Sequence, residues 1–160
     1  MSLEIFNEII PYVGIGPIKL GMTLEEVRTI IKNKKMKFDQ WIDPNEWCEP
    51  SIPWTFIRIE KAITMTFVKG ILFEIRLEEP YIGSLPNGIH IGMPMTEVEK
   101  LEPNLKYNDD DEEFESPNGY WIGDEVASGN VVSITIYLPD VELDNDEFFK
   151  YEWLEKYLQK

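Results

Sequence analysis

Apolar and polar residues alternate along this chain in two registers, one suited to helices and one to strands. Leu24, Val27, Ile30 and Ile31 recur at helical spacing, which gives one apolar face. Thr23 stands just ahead of them with Glu26 three residues on. That is the spacing of a capping box, so a helix is predicted to open at Thr23. Farther along the period falls to two. Phe56-Ile57-Arg58-Ile59, Ile63-Thr64-Met65-Thr66-Phe67 and Leu72-Phe73-Glu74-Ile75-Arg76-Leu77 alternate as half-buried strands do, with Val68-Lys69-Gly70 as a turn. An antiparallel hairpin is the simplest pairing.

The pattern then returns. Leu20-Gly21-Met22-Thr23-Leu24-Glu25-Glu26-Val27 is echoed 71 positions later by Ile91-Gly92-Met93-Pro94-Met95-Thr96-Glu97-Val98. Pro94 takes the place of Thr23, and proline is tolerated at a helix start because its missing donor is not needed there. Pro103 predicts that this second helix is short. Tyr120-Trp121-Ile122-Gly123 and 131–138 read as strands, with Gly129 matching Gly70 and Ile134 matching Ile75 at an offset of 59. The second unit is thus shorter by about a dozen residues. The difference falls mostly at 43–54, a loop with Pro44, Pro50 and Pro53 that has Trp41, Trp47 and Trp54 in or beside it. Insertions on repeated units often carry a binding face.

Three further segments complete the expectation. Leu3 to Ile10 reads as a short helix or a first strand, with helix preferred. Asn108 to Glu115 reads as a polar acidic loop. Phe149, Trp153 and Tyr157 lie four apart, with Leu154 and Leu158 alongside, which predicts a C-terminal helix over about 145–159 with a broad apolar face.

Size and charge narrow the function classes. At 160 residues, one domain with a sizeable core is the natural expectation. No apolar run approaches the roughly 20 residues that span a bilayer, and no basic-then-apolar leader opens the sequence; a cytoplasmic location is the default expectation. The formal charge is −15, with 10 basic and 12 acidic side chains in residues 1–80 against 5 and 18 in residues 81–160. Such a field repels nucleic acid and hastens encounter with a basic partner. Solubility alone is the plainer use of the same charge.

Motifs for chemistry are absent. Cys48 is the single cysteine and His90 the single histidine, so no intramolecular disulfide, no cysteine-based zinc site and no cysteine–histidine pair with an identifiable geometry is expected. No nucleophile elbow, phosphate-binding loop, metalloprotease helix or dinucleotide fingerprint occurs. Asp109, Asp110, Asp111, Glu112, Glu113 and Glu115 form an acidic run without the spacing that bends a loop around calcium. It reads as solvated surface or as a contact for a basic partner. Trp41, Trp47 and Trp54 suit interface anchors and suit a core equally well. The Lys32, Lys34, Lys35 and Lys37 run follows a helix end that favours cations.

The doubled Gly-Met-Thr-x-x-Glu-Val text, in Leu20-Gly21-Met22-Thr23 with Glu26-Val27 and in Ile91-Gly92-Met93 with Glu97-Val98, resembles the fold shared by the outer-membrane assembly lipoprotein BamE and the tandem beta-lactamase inhibitor protein. The likeness covers roughly 14–31 and 88–101 directly. It departs from the lipoprotein in having two copies and no lipidated cysteine, and from the inhibitor in having no disulfide. What the resemblance implies is a sheet face that binds another protein.

The sequence therefore predicts an α+β fold in a single domain over 1–160. Repeat one runs over about 12–80, repeat two over about 86–140, each a helix plus antiparallel strands, and a C-terminal helix closes the domain. The expected function is non-catalytic protein binding, inhibitory or toxin-neutralising in the manner of an immunity protein, with a basic partner, no catalytic residues, no metal and no cofactor. Trp41, Trp47, Trp54, Asp109, Asp110, Asp111, Glu112 and Glu113 are the predicted partner-binding residues. The alternative is a small-molecule or peptide-sensing domain using a cleft between the two halves.

Overall fold

Thr23 and Glu26 close the predicted capping box: the Thr23 amide donates to Glu26 Oε1 over 3.0 Å and the Glu26 amide donates to Thr23 Oγ1 over 3.1 Å. The computed structural model describes residues 7–159. From this cap α1 runs over Leu24–Asn33, burying Val27 and Ile31. Its counterpart α2 spans Met95–Leu101 with Pro94 at its N-cap, and it ends before Pro103 as predicted.

The fold is mixed α+β, with two antiparallel sheets. Three two-residue strands, β1 (Ile9–Ile10), β2 (Gly14–Ile15) and β3 (Ile18–Lys19), make a small sheet. The large sheet holds β4 (Phe38–Asp43), β5 (Trp54–Ile59), β6 (Ile63–Val68), β7 (Ile71–Glu78), β8 (Lys106–Asn108), β9 (Glu113–Ser116), β10 (Tyr120–Glu125) and β11 (Asn130–Tyr137). Its strand order is β4-β5-β6-β7-β11-β10-β9-β8, so two sequential meanders meet at the β7–β11 ladder.

Each helix is tied to its meander by matching bonds. The amides of Gly21 and Leu24 donate to the carbonyls of Leu72 and Gly70, and Leu72 donates back to Met22. Likewise Gly92 and Met95 donate to Val131 and Gly129, and Val131 donates back to Met93. Gly21 and Gly92 both hold φ at +91°, a conformation that disfavours any residue with a Cβ.

Strand alternation sorts the sheet into two faces. Ile57, Ile59, Ile63, Met65, Ile75, Leu77, Ile122, Ile134 and Ile136 pair across strands on one face, and they share a single core with Val27, Ile31 and Val98. Arg58, Thr64, Arg76, Thr135, Trp121 and Glu115 pair across the other face. A register shift between Thr66 and Phe67 leaves Phe73 as an extra residue on β7. Bulges of this kind re-aim a side chain, and here Phe73 and Glu74 line the same cavity on the second face.

Four sequence expectations change. Ile9–Ile10 is strand rather than helix, and Leu3 to Phe6 lie outside the described residues. Strand β4 was not expected, because its exposed residues give no buried stripe to read. The 108–115 loop contracts to the turn 109–112, since Tyr107 and Phe114 pair on one face while Asn108 and Glu113 pair on the other. The single C-terminal helix is broken instead into α3 (Asn145–Phe148), a 3-10 turn over Glu152–Leu154 and α4 (Glu155–Leu158). Tyr151 sits at the break with φ +57°. The kink lets Phe148, Tyr151, Trp153 and Leu154 all enter the core, which no straight helix stripe would allow.

Candidate functional site

The second sheet face is crossed at one end by the C-terminal segment, which brings an aromatic cluster with it. Phe73 meets Trp54 at 5.2 Å between ring centroids and Phe148 at 5.8 Å, and Trp153 stacks on Phe148 at 5.5 Å. The three tryptophans singled out by the sequence join this cluster in different ways. Trp54 is half-buried and donates its Nε1–H to Tyr151 Oη over 2.9 Å. Trp41 is 43% exposed and stacks flat on Phe56 at 5.3 Å. Trp47 is 66% exposed and meets Phe149 edge-on at 5.5 Å. So Trp54 belongs to the packing, while Trp41 and Trp47 present surface.

Beyond the cluster lies a cavity of about 520 Å³ whose walls include Trp54, Phe73, Glu74, Asp111, Glu115 and Trp121. A smaller space of about 230 Å³ beside it is lined by Asp111, Glu113, Glu115 and Trp121. A third, of about 730 Å³, shares Glu115 and Trp121 and continues toward Tyr137 and Glu142. Trp121 and Glu115 therefore stand where three spaces meet.

The β8–β9 turn supplies the acids. Asn108 organises it: its Oδ1 accepts from the amides of Asp110 at 2.9 Å and Asp111 at 3.2 Å, while its Nδ2 donates to Glu115 at 2.8 Å and Asp111 at 3.4 Å. The structure gathers Asp110 and Asp111 with Glu74 and Glu115 at the cavity. Asp109 and Glu112 stay on the exposed turn. Glu113 pairs with Arg76 Nη1 over 3.3 Å, and Arg76 Nε also reaches Glu78 at 3.6 Å. Burial pushes Glu113 up despite that guanidinium. Glu74 is pushed up to about 7, first by burial and then by the charges of Glu113 and Asp111, with Arg76 pulling the other way.

Several polar atoms on this face have no partner. Ser133 Oγ and Thr135 Oγ1 belong to residues 0% and 2% exposed, and Glu113 Oε2 is buried without a hydrogen bond. Thr135 pairs directly with Trp121 across the ladder, and Ser133 with Gly123. Buried polar atoms are ordinarily satisfied.

Other candidate groups carry no arrangement for chemistry. His90 is exposed, with Nδ1 2.9 Å from the Ile91 carbonyl. The Cys48 thiol is shifted upward, away from thiolate. Among the described residues no three His, Cys, Asp or Glu side chains are placed to hold a metal ion. No described helix is long and apolar enough to cross a membrane.

The sequence pattern did not single out Trp121 or Glu74. Glu74 did leave a signal, a charged residue between Phe73 and Ile75, whereas Trp121 left none, because Tyr120-Trp121-Ile122 is an unbroken apolar run. Comparisons with protein-family models, curated proteins and solved structures return no match.

Proposed function

We propose that this chain is a non-catalytic protein-binding domain, inhibitory or toxin-neutralising like an immunity protein, acting in the cytoplasm on a basic partner. One observation carries the reading: the acids of the β8–β9 turn and of β7 collect beside aromatic rings on the sheet face opposite α1 and α2, next to the C-terminal segment that crosses one end of it. A net charge of −15 adds long-range attraction for a basic surface. Trp41 and Trp47 act as apolar anchors, and Asp109, Asp110, Asp111 and Glu112 steer the approach.

The scaffold is read as duplicated, with repeat one over about 12–80 and repeat two over about 86–140. The matched bonds at Gly21 and Gly92, and the mirrored strand order, support that reading and its likeness to the BamE and beta-lactamase-inhibitor fold. A second reading, a peptide or small-molecule sensor, draws support from the 520 Å³ cavity, whose walls come from both meanders.

The test is capture from the native host on the immobilised chain at low salt, followed by a salt gradient. A basic protein released by salt, and lost when Trp41 and Trp47 are both replaced by alanine, is the expected result. With that partner in hand, replacing Asp109, Asp110 and Asp111 by asparagine is expected to slow association and flatten its salt dependence. Retention of only a small molecule favours the sensor.

A further inference from the structure

We propose that the space around Trp121 receives an arginine side chain of the partner, its guanidinium lying against the Trp121 ring and bonded by Asp111 and Glu115. The inference rests on the protein-binding reading and names the group that the open face recognises.

Three observations point to a cation of that shape. First, Glu74, Asp110, Asp111 and Glu115 line one cavity, and among the described residues none of the four is in an ion pair. Lys106 pairs with Glu115 across the β8–β9 ladder, yet forms no salt bridge with it. Carboxylates so gathered repel one another: Glu74 is raised first by burial and then by the charges of Glu113 and Asp111, and a counter-cation relieves the second of these.

Second, the wall is aromatic as well as acidic. Trp121 and Trp54 flank the acids, and a guanidinium stacks on an indole face while its edge donates to carboxylates. An ammonium is a point charge and uses only part of such a surface.

Third, the face already holds guanidinium groups, those of Arg58 and Arg76. Arg76 lies on it with Glu113 at 3.3 Å and Glu78 at 3.6 Å, so the chain's own packing shows how this surface binds the group. Glu113 is committed to Arg76, and Asp111 and Glu115 are left to bind the incoming side chain.

The experiment follows the indole N–H resonances of the five tryptophans in the full chain during titration with acetyl-Gly-Arg-Gly-amide. The expected result is a saturable shift at Trp121, with Trp41 and Trp47 moving far less. The same peptide with citrulline, a neutral isostere, is expected to leave Trp121 in place. The lysine peptide is expected to bind about fivefold more weakly or worse, because the planar fork is lost. Asp111→Asn with Glu115→Gln is expected to weaken the arginine peptide about tenfold, whereas Glu60→Gln with Glu99→Gln, the same charge change at exposed positions that line none of these spaces, leaves it within about twofold.

An equal response to citrulline or to lysine, or no saturable shift at Trp121, overturns the proposal. These arms use the unaltered chain, so they stand even if a variant fails to fold. A captured basic partner that binds the folded Asp111→Asn, Glu115→Gln variant undiminished overturns the arginine site and leaves the protein-binding reading standing. Arginine-specific binding at Trp121 without any basic partner does the reverse.

Discussion

The phenolic hydroxyl of Tyr120 donates to Glu102 Oε1 over 2.8 Å, inside the domain, where the two residues are 2% and 4% exposed. Ser116 Oγ donates to the same oxygen at 2.8 Å and Asn118 Nδ2 at 2.6 Å. Glu102 ends α2, while its donors come from β9, β10 and the turn between them, so one carboxylate locks the second helix to its strands. Asn87 Nδ2 reaches the Tyr120 hydroxyl from the other side at 3.2 Å.

Burial by itself raises the Glu102 pKa, but the bonds from Asn118, Ser116, Tyr120 and the Asn104 backbone outweigh it and hold it below the ordinary carboxylate range. A depressed folded value means stability that is full above the unfolded pKa and lost as pH falls through the folded one. Tyr120→Phe is expected to cost about 1.5–3 kcal/mol at pH 7, as for a hydrogen bond to a charged group. The cost should shrink in strong acid. Urea unfolding at pH 7 and pH 3 measures both.

Glu74 behaves in the opposite sense. Its folded pKa, near 7, lies above that of the unfolded chain, so the native state holds the proton longer and loses stability as pH rises between the two values. Glu74→Gln is therefore expected to stabilise the protein on the order of 2 kcal/mol at pH 8, each pKa unit being worth about 1.4 kcal/mol. At pH 4 the two proteins should unfold alike. Thermal melts across that range provide the check.

Gly70 and Gly129 close the two matching turns with φ of +78° and +71°, and a Cβ at either meets nothing within 4 Å. Alanine there costs backbone strain alone, about 1 kcal/mol. Equal losses for Gly70→Ala and Gly129→Ala are expected in chemical denaturation. A large difference would separate the two meanders energetically.

The tryptophans divide by role. Trp54→Phe removes the donor to Tyr151 and is expected to cost about 1 kcal/mol. Trp47→Ala, at an exposed ring, should change stability by less than that while weakening partner capture. Denaturation and capture on the same variants separate core from anchor.

What the sequence made legible tracks burial. The Thr23 cap, both helix starts and the β6–β7 hairpin follow from local spacing. Strand β4 has no buried stripe and left no signal. The spacing of Phe149, Trp153 and Tyr157 suggested an unbroken helix, yet the residues that bury are Phe148, Tyr151, Trp153 and Leu154, selected by rings on β5 and β7 that a local pattern does not contain. The acidic turn was visible as composition. Its convergence with Glu74 and Trp121 was not, because a bulge on β7 and strands far apart in sequence bring these groups together.

In the strand order every neighbour in the large sheet is also next along the chain, except β7 and β11. Each meander can zip from its own turns over short loops, while the central ladder must wait for distant segments to find each other. The slowest step of folding is therefore expected at the middle of the sheet. Until it is crossed, two half-sheets with bare inner edges are open to pairing with the wrong chain.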